Sequence, residues 1–405
     1  MTDDSLHLRK NQAPAGTALL LSLVLVFLLL AGCAPKVLKQ VPANKLPSFA
    51  DDLQYRNLED AVRQSIDYYE KFSPDTSCNY AGTPYSAAWL KDSLLTFLAL
   101  LQSSSSGEEL RQRLADNFVV YKAGGSRSFG HWGDILVTGY FEPLLEGSLD
   151  KKPPFVHALY ARPADLVAGK NEKGENSLGR LENGRLVPYW TRSEIEENNL
   201  LAGQEMVYLA DPVEAFILHV QGSGKVRLRD GEIREILFAA KNGRPYRSIG
   251  KLLVDEGKMT LAEASMPLIR QYLHDNPDDV KRVLHHNESF VFFRWGDGSG
   301  LVGSLGETLT PGRSLAVDQD VYPAGALAWL QTMKPSVNEQ GEITGWVPLA
   351  RFAMLQDSGS AIKGPGRLDL FWGGGDHARV AAGSMKHSGT LYLLVKKPAR
   401  DPRDK

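Results

Sequence analysis

The chain has 405 residues, 43% of them hydrophobic, enough for a large core and two domains. A formal net charge of −2 gives no basic field for nucleic acid. Two cysteines cannot build a disulfide framework. The nine histidines show no His-Glu-x-x-His spacing, and His285-His286 point in different directions at a helix end, so no metal site is expected.

Arg9 and Lys10 precede an apolar run from Ala18 to Ala31, the pattern of an export signal. An uncleaved transmembrane anchor is the alternative. Residues 34–53 are polar, with Pro and Lys, and read as a tether. Asn57 is placed to cap a helix carrying Leu58, Val62, Ile66 and Tyr69 at helical spacing. Ala87 to Leu101 is a second helix, apolar nearly all round and hence expected to be buried. Glu108 to Phe118 is a third. Cys78 lies in a polar loop and is read as incidental.

From Ile135 the pattern turns to strands. Ile135–Phe141 runs into Glu142-Pro143. Glu182-Asn-Gly-Arg185 and Asn242-Gly243 are turns. Phe216–Gln221 and Lys225–Leu228 flank Gly222-Ser-Gly224 and read as a hairpin. Leu261–His274 is helical, with Pro267 as a kink or break. Phe290–Trp295, Ser314–Val317, Phe352–Leu355, Leu368–Trp372 and Thr390–Val395 are strands. A helical N-terminal part followed by a mainly β remainder, without regular βαβ alternation or repeats, is the expected architecture.

The stretch from Asp357 to Asp376 concentrates the chemistry: three carboxylates, one lysine, one arginine and several glycines that mark tight turns. Asp369 lies inside Arg367-Leu-Asp-Leu-Phe-Trp372, flanked by Leu368 and Leu370. Aspartate is depleted in strands, and a carboxyl partly withdrawn from water there is a candidate proton donor. A solvent-facing aspartate on a half-buried strand and a turn-capping Asp357 are the competing structural readings. No serine-hydrolase elbow and no nucleotide-binding glycine loop stands out, so no cofactor is expected.

The pattern Asp357-Ser-Gly-Ser-Ala-Ile-Lys-Gly364 followed by Arg367-Leu-Asp-Leu-Phe371 resembles the three-aspartate domain of bacterial cell-wall enzymes. With Thr138–Pro143, Gln221–Gly224, Lys241–Gly250, Asn287–Phe293 and Ser314–Asp318, it makes the chain similar to the membrane-bound lytic murein transglycosylase A family over about two thirds of its length. Ser360 stands where that family usually has a second glycine. The resemblance implies a double-psi β-barrel catalytic domain built from residues 54–144 and 285–398. A smaller inserted β-barrel, residues 145–284, faces it across a groove.

Leu30-Ala-Gly-Cys33 resembles the bacterial lipobox. That implies a signal peptide over residues 1–32, lipidation at Cys33, a tether over 33–53, and anchoring at the periplasmic face of the outer membrane.

The implied reaction is cleavage of the β-1,4 bond from N-acetylmuramic acid to N-acetylglucosamine in peptidoglycan glycan strands, leaving 1,6-anhydro ends. By the same resemblance Asp369 is the single acid/base and Asp357 its supporting carboxylate, with Asp376 a weaker candidate in a loop. Thr138, Tyr140 and Phe141 would line the groove, as a hydrogen-bonding group and a sugar-stacking face, against a core-packing alternative. Gln221 and Ser223 would donate to sugar or peptide groups, against a simple turn. Lys363 would bind a peptide-stem carboxylate or pair with Asp357. Cell-wall synthases or scaffold proteins are the implied partners. Two rival readings stay open: a glycoside hydrolase with Asp369 as acid and Asp357 or Glu142 as base, and a non-catalytic glycan-binding lipoprotein.

Overall fold

The computed structural model describes residues 37–398 apart from 81, 127–129, 171–173, 262, 299 and 360. The leader, Cys33 and Ser360 therefore lie outside the described residues. The stretch expected to be a tether is folded from Val37 onward. Leu38–Gln40 pairs antiparallel with Phe118–Ala123, and Phe49 is fully buried. Leu38, Leu46 and Phe49 supply apolar anchors that the polar composition around them conceals.

Helix Leu58–Glu70 buries one face, including Leu58, Val62, Ile66 and Tyr69. Asn57 precedes it in the left-handed conformation (φ 59°), a region asparagine tolerates, and makes no side-chain cap bond. Ala87–Ser103 is capped by Ser86, whose Oγ accepts from the Trp89 N–H. This helix is buried along one face only, with Leu95 46% exposed on the other. Gly107–Asn117 follows. The buried faces meet a β core: the Phe97 ring lies 5.0 Å from that of Phe352.

Six strands form a closed ring: Lys386–Lys396, Leu327–Val337, Ile343–Asp357, Ser314–Ala316, Arg367–Gly374 and Ile135–Glu142, returning to the first. Closure depends on the length of Lys386–Lys396. Its start pairs with Ile135–Thr138, its middle with Leu327–Gln331 and its end with Phe118–Lys122. Ser314–Ala316 against Ile343–Asp357, and Arg367–Gly374 against Ile135–Glu142, are parallel pairings within an otherwise antiparallel ring. Closure removes free edges, and both faces of the ring are buried: Trp329 and Phe352 share the face that packs on Phe49 and Phe97, while Leu315, Leu355, Leu368 and Leu370 add to the same core. The mainly β expectation, with a six-stranded barrel built from both ends of the chain, describes this architecture.

A second six-stranded sheet runs in the order Val291–Trp295, Ile233–Lys241, Gly224–Leu228, Leu144–Ser148, Glu205–Leu209 and His157–Tyr160. A bridge from Ala161 to Phe293 joins its two ends. It carries its own core of Leu159, Val207, Leu218, Val226, Ile236 and Phe293. Its last strand lies beyond Leu284, where the chain was expected to leave the inserted part. Leu237 of this sheet packs on Leu301, Leu309 and Phe371, joining it to the barrel.

Two local expectations are corrected. Phe216–Gln221 is not a strand but the end of helix Pro212–Gln221. Asp211 caps that helix, Pro212 opens it, and Gly222 (φ 84°) ends it in the left-handed conformation. The next helix expected from Leu261 begins at Met266, so Pro267 sits in its first turn and does not kink it. The turn at Asn183-Gly184 forms as expected, with both residues at positive φ. Among the described residues no helix is long and apolar enough to cross a membrane.

Candidate active site

The site forms where the two parallel pairings of the barrel come together. Ala316, on the short strand Ser314–Ala316, lies opposite Asp357 on one neighbour and Asp369 on the other. Asp369 in turn lies opposite Thr138. The pairing thus gathers Asp357, Asp369 and the sequence-distant Thr138 without any loop having to place them.

Asp369 is held on two sides. The Thr138 hydroxyl donates to its Oδ1. The Arg367 guanidinium meets it edge-on, with Nε 3.2 Å from Oδ1 and Nη2 3.3 Å from Oδ2. Arg367 and Asp369 are two residues apart on one strand and so share a face. Nη2 also lies 3.4 Å from the Thr138 hydroxyl. Arg367 is the functional neighbour that motif reading passed over, although its period-2 position was legible.

Asp357 has no free carboxylate oxygen. Oδ1 accepts the Ser304 and Ser358 N–H groups at 2.9 and 2.8 Å, and Oδ2 accepts the Tyr140 hydroxyl at 2.9 Å. Burial pushes the Asp357 carboxyl above its ordinary range, with a smaller contribution from the Asp369 charge, and these outweigh its hydrogen bonds. The Tyr140 phenol is likewise pushed well up, by burial first and then by Asp357.

A raised carboxyl binds its proton more tightly in the folded chain than in the unfolded one. It therefore favours folding below the ordinary aspartate value of 3.8, and that contribution is lost as pH rises through the folded value. Asp357→Asn should gain stability relative to the parent across that rise and run level with it above. Urea midpoints taken at a series of pH values measure this; a relative loss with rising pH would contradict it.

The other expected residues divide. The Tyr140 ring lies 5.1 Å from that of Phe371, beside the site. Phe141 faces away, buried among Ala378, Ala382 and Trp372, and offers no stacking face. Gln221 Oε1 accepts the Phe141 N–H at 3.3 Å. Ser223 is buried, and its Oγ accepts the Phe238 N–H at 2.9 Å. Lys363 is mostly exposed and lies 3.9 Å from Asp318, not beside Asp357. The loop behind it is tied down by the Gly364 N–H on Asp318 and by the Tyr322 hydroxyl on the Pro365 carbonyl, each at 2.7 Å. The Asp376 side chain is 94% exposed in the first turn of helix Asp376–Ser384.

Glu142 is buried, with its Oε2 3.0 Å from Lys225 Nζ. It lies four residues along the strand from Thr138, roughly 13 Å in backbone rise. Among the described residues no cluster of His, Cys, Asp and Glu is placed to hold a metal ion.

Comparison with known proteins agrees with this geometry. Residues 136–294 match the MltA specific insert domain and residues 313–395 the 3D domain. The membrane-bound lytic murein transglycosylase A of Vibrio cholerae is 32% identical over 65% of this chain and 66% of its own length. A crystal structure of a membrane-bound lytic murein transglycosylase from Agrobacterium tumefaciens superimposes with a TM-score of 0.72 at 29% identity, covering 89% of this chain and 97% of that one. A lytic transglycosylase of Burkholderia pseudomallei is 32% identical, with a TM-score of 0.53, over 90% of this chain and 97% of its own. With both domains matched in order and the barrel ring closed around the aspartates, the chain belongs to the membrane-bound lytic murein transglycosylase A family.

Proposed function

We propose that this protein is a lytic transglycosylase acting on peptidoglycan glycan strands, with Asp369 as its single acid/base. One observation carries the mechanism: of the carboxylates around the barrel strands, Asp369 alone combines the motif position with a partly exposed side chain and no backbone N–H lock. Asp357 has both oxygens committed, and Glu142 is ion-paired well along the strand. Relatives named for this activity support the reaction class.

Protonated Asp369 donates to the leaving O4 of N-acetylglucosamine as the bond to C1 of N-acetylmuramic acid breaks. The C6 hydroxyl of the same muramic acid attacks C1, and its proton passes to the Asp369 carboxylate, restoring the acid. The nucleophile is already tethered, so proximity replaces a bound water and the second carboxylate that would activate it. Tyr140, partly buried beside Phe371, is the aromatic group of the expected sugar contacts that remains at the site. We further propose that Cys33 carries the lipid anchor, at the periplasmic face of the outer membrane.

Digestion of sacculi in heavy-oxygen water tests the reaction. Transglycosylation yields 1,6-anhydro ends, each about 18 mass units lighter than a reducing end and free of solvent oxygen, because the attack is intramolecular. Labelled reducing ends as the main product would overturn it in favour of hydrolysis.

A further inference from the structure

The ion pair between Arg367 and Asp369 conflicts with the first step of the reaction. A carboxylate met along both oxygens by a guanidinium is the ionised form, whereas the group that protonates the leaving oxygen must begin as the acid. Holding Asp369 in place does not require Arg367, since the Thr138 hydroxyl already donates to Oδ1.

Arg367 also has freedom to leave. Its side chain is one-third exposed (33%), and its contacts beyond Asp369, to the Thr138 hydroxyl and the Ala361 carbonyl, are long at 3.4 and 3.5 Å. On the other side its charge reaches the Tyr246 phenol, on the segment between the small sheet and helix Ile249–Asp255. The partly exposed guanidinium is thus within electrostatic reach of both the barrel carboxylate and a residue of the inserted part.

We propose that Arg367 is the binding group for a substrate carboxylate, exchanging Asp369 for that carboxylate when the glycan is seated. The inference rests on the transglycosylase reading and names the substrate feature that switches the site on. Muramic acid differs from N-acetylglucosamine by a lactyl ether on C3, two ring carbons from the C1 where the bond breaks. The arm ends in a carboxylate in strands stripped of peptide, and continues to the acidic residues of a stem where peptide is present. The planar guanidinium fork suits bidentate capture of a carboxylate. Once Arg367 turns to the substrate, Asp369 is released from its ion pair and its carboxyl is open to the leaving oxygen. A glycan without the carboxylate leaves Asp369 paired.

The test uses the purified full chain on three substrates: denuded strands with free lactyl carboxylates, the same strands converted to neutral amides, and peptide-bearing strands. The wild type is expected to turn over amidated strands more slowly by roughly tenfold or more, the scale of one charge-assisted hydrogen-bonded pair. R367Q should bring the two rates together, mainly through kcat, with products still ending in 1,6-anhydro sugar. Peptide-bearing strands cleaved faster than denuded ones would place the carboxylate in the stem; the reverse would place it on the lactyl arm. Equal wild-type rates on all three substrates would overturn the proposal without any variant, as would an R367Q enzyme that keeps the wild-type ratios among them. Hydrolysed ends on every substrate would instead defeat the underlying reaction, whatever the ratio.

Discussion

Asp369→Asn is expected to lower glycan cleavage by roughly 10²- to 10⁴-fold, the range spanned by a general acid–base group. The variant should remain folded. The amide oxygen can still accept the Thr138 hydroxyl, and the lost partner of Arg367 is a partly exposed ion pair of about 1 kcal/mol or less. What the amide cannot do is give a proton to the leaving oxygen or take one from the C6 hydroxyl. Muropeptide release from sacculi, measured beside far-ultraviolet circular dichroism and a thermal melt, separates the two effects. A folded Asp369→Asn enzyme with near-parental turnover would remove Asp369 from its role and turn attention to Asp357.

The largest stability effect should come from a site remote from the chemistry. Arg313 and Asp51 form an ion pair with both side chains 0% exposed. Arg313 Nη1 and Nη2 reach the two Asp51 oxygens at 2.6 and 3.0 Å, and the guanidinium also donates to the Phe352 and Arg56 carbonyls at 2.8 and 3.0 Å. Asp51 in turn accepts the Leu53, Tyr55 and Phe352 N–H groups. The pair fastens the N-terminal segment onto barrel strand Ile343–Asp357. Arg313→Ala leaves Asp51 buried beside an empty volume and should cost about 3–5 kcal/mol. A double replacement at both positions should cost less than the two single losses added together, because the stranded charge is then gone. Urea unfolding measures all three. A loss below about 1 kcal/mol in Arg313→Ala would show that the barrel holds that segment by apolar contacts alone.

The aspartates were legible because their setting was unusual: a carboxylate between two leucines in a strand, and another beside glycine turns. Arg367 was legible in principle, since two residues along a strand is the same face, but nothing local shows that it turns toward Asp369 and not toward water. The contact from Thr138 to Asp369 spans 231 residues, and no local rule reaches that far. Phe141 and Ser223 could not be separated from surface groups because their burial depends on helix Asp376–Ser384 and strand Ile233–Lys241, which pack against them from elsewhere in the chain. Helix Pro212–Gln221 was misread because its buried run Ala215–Leu218 is apolar throughout and so shows no periodicity. Asp211-Pro212 and Gly222 were the signals to weigh instead. Leu327–Val337 is a strand that the sequence reading does not contain, and it holds Pro335, a residue that argues against a central strand. Pro335 pairs with Trp346 near the outer end of the hairpin, past the part of Leu327–Val337 that pairs with Lys386–Lys396.

The closed ring also governs when this enzyme can exist during its own synthesis. Ile135–Glu142, made early, waits for Arg367–Gly374 on one side and Lys386–Lys396 on the other, both near the end of the chain. Such distant pairings fold slowly, on the scale of milliseconds to seconds. Until the last strand docks, the strand bearing Thr138 has an open edge. A partly made chain, or one clipped before Lys386, therefore carries Thr138, Asp357 and Asp369 without the closed ring that sets them in register. The ring that carries these side chains is complete only when the final strand has been delivered.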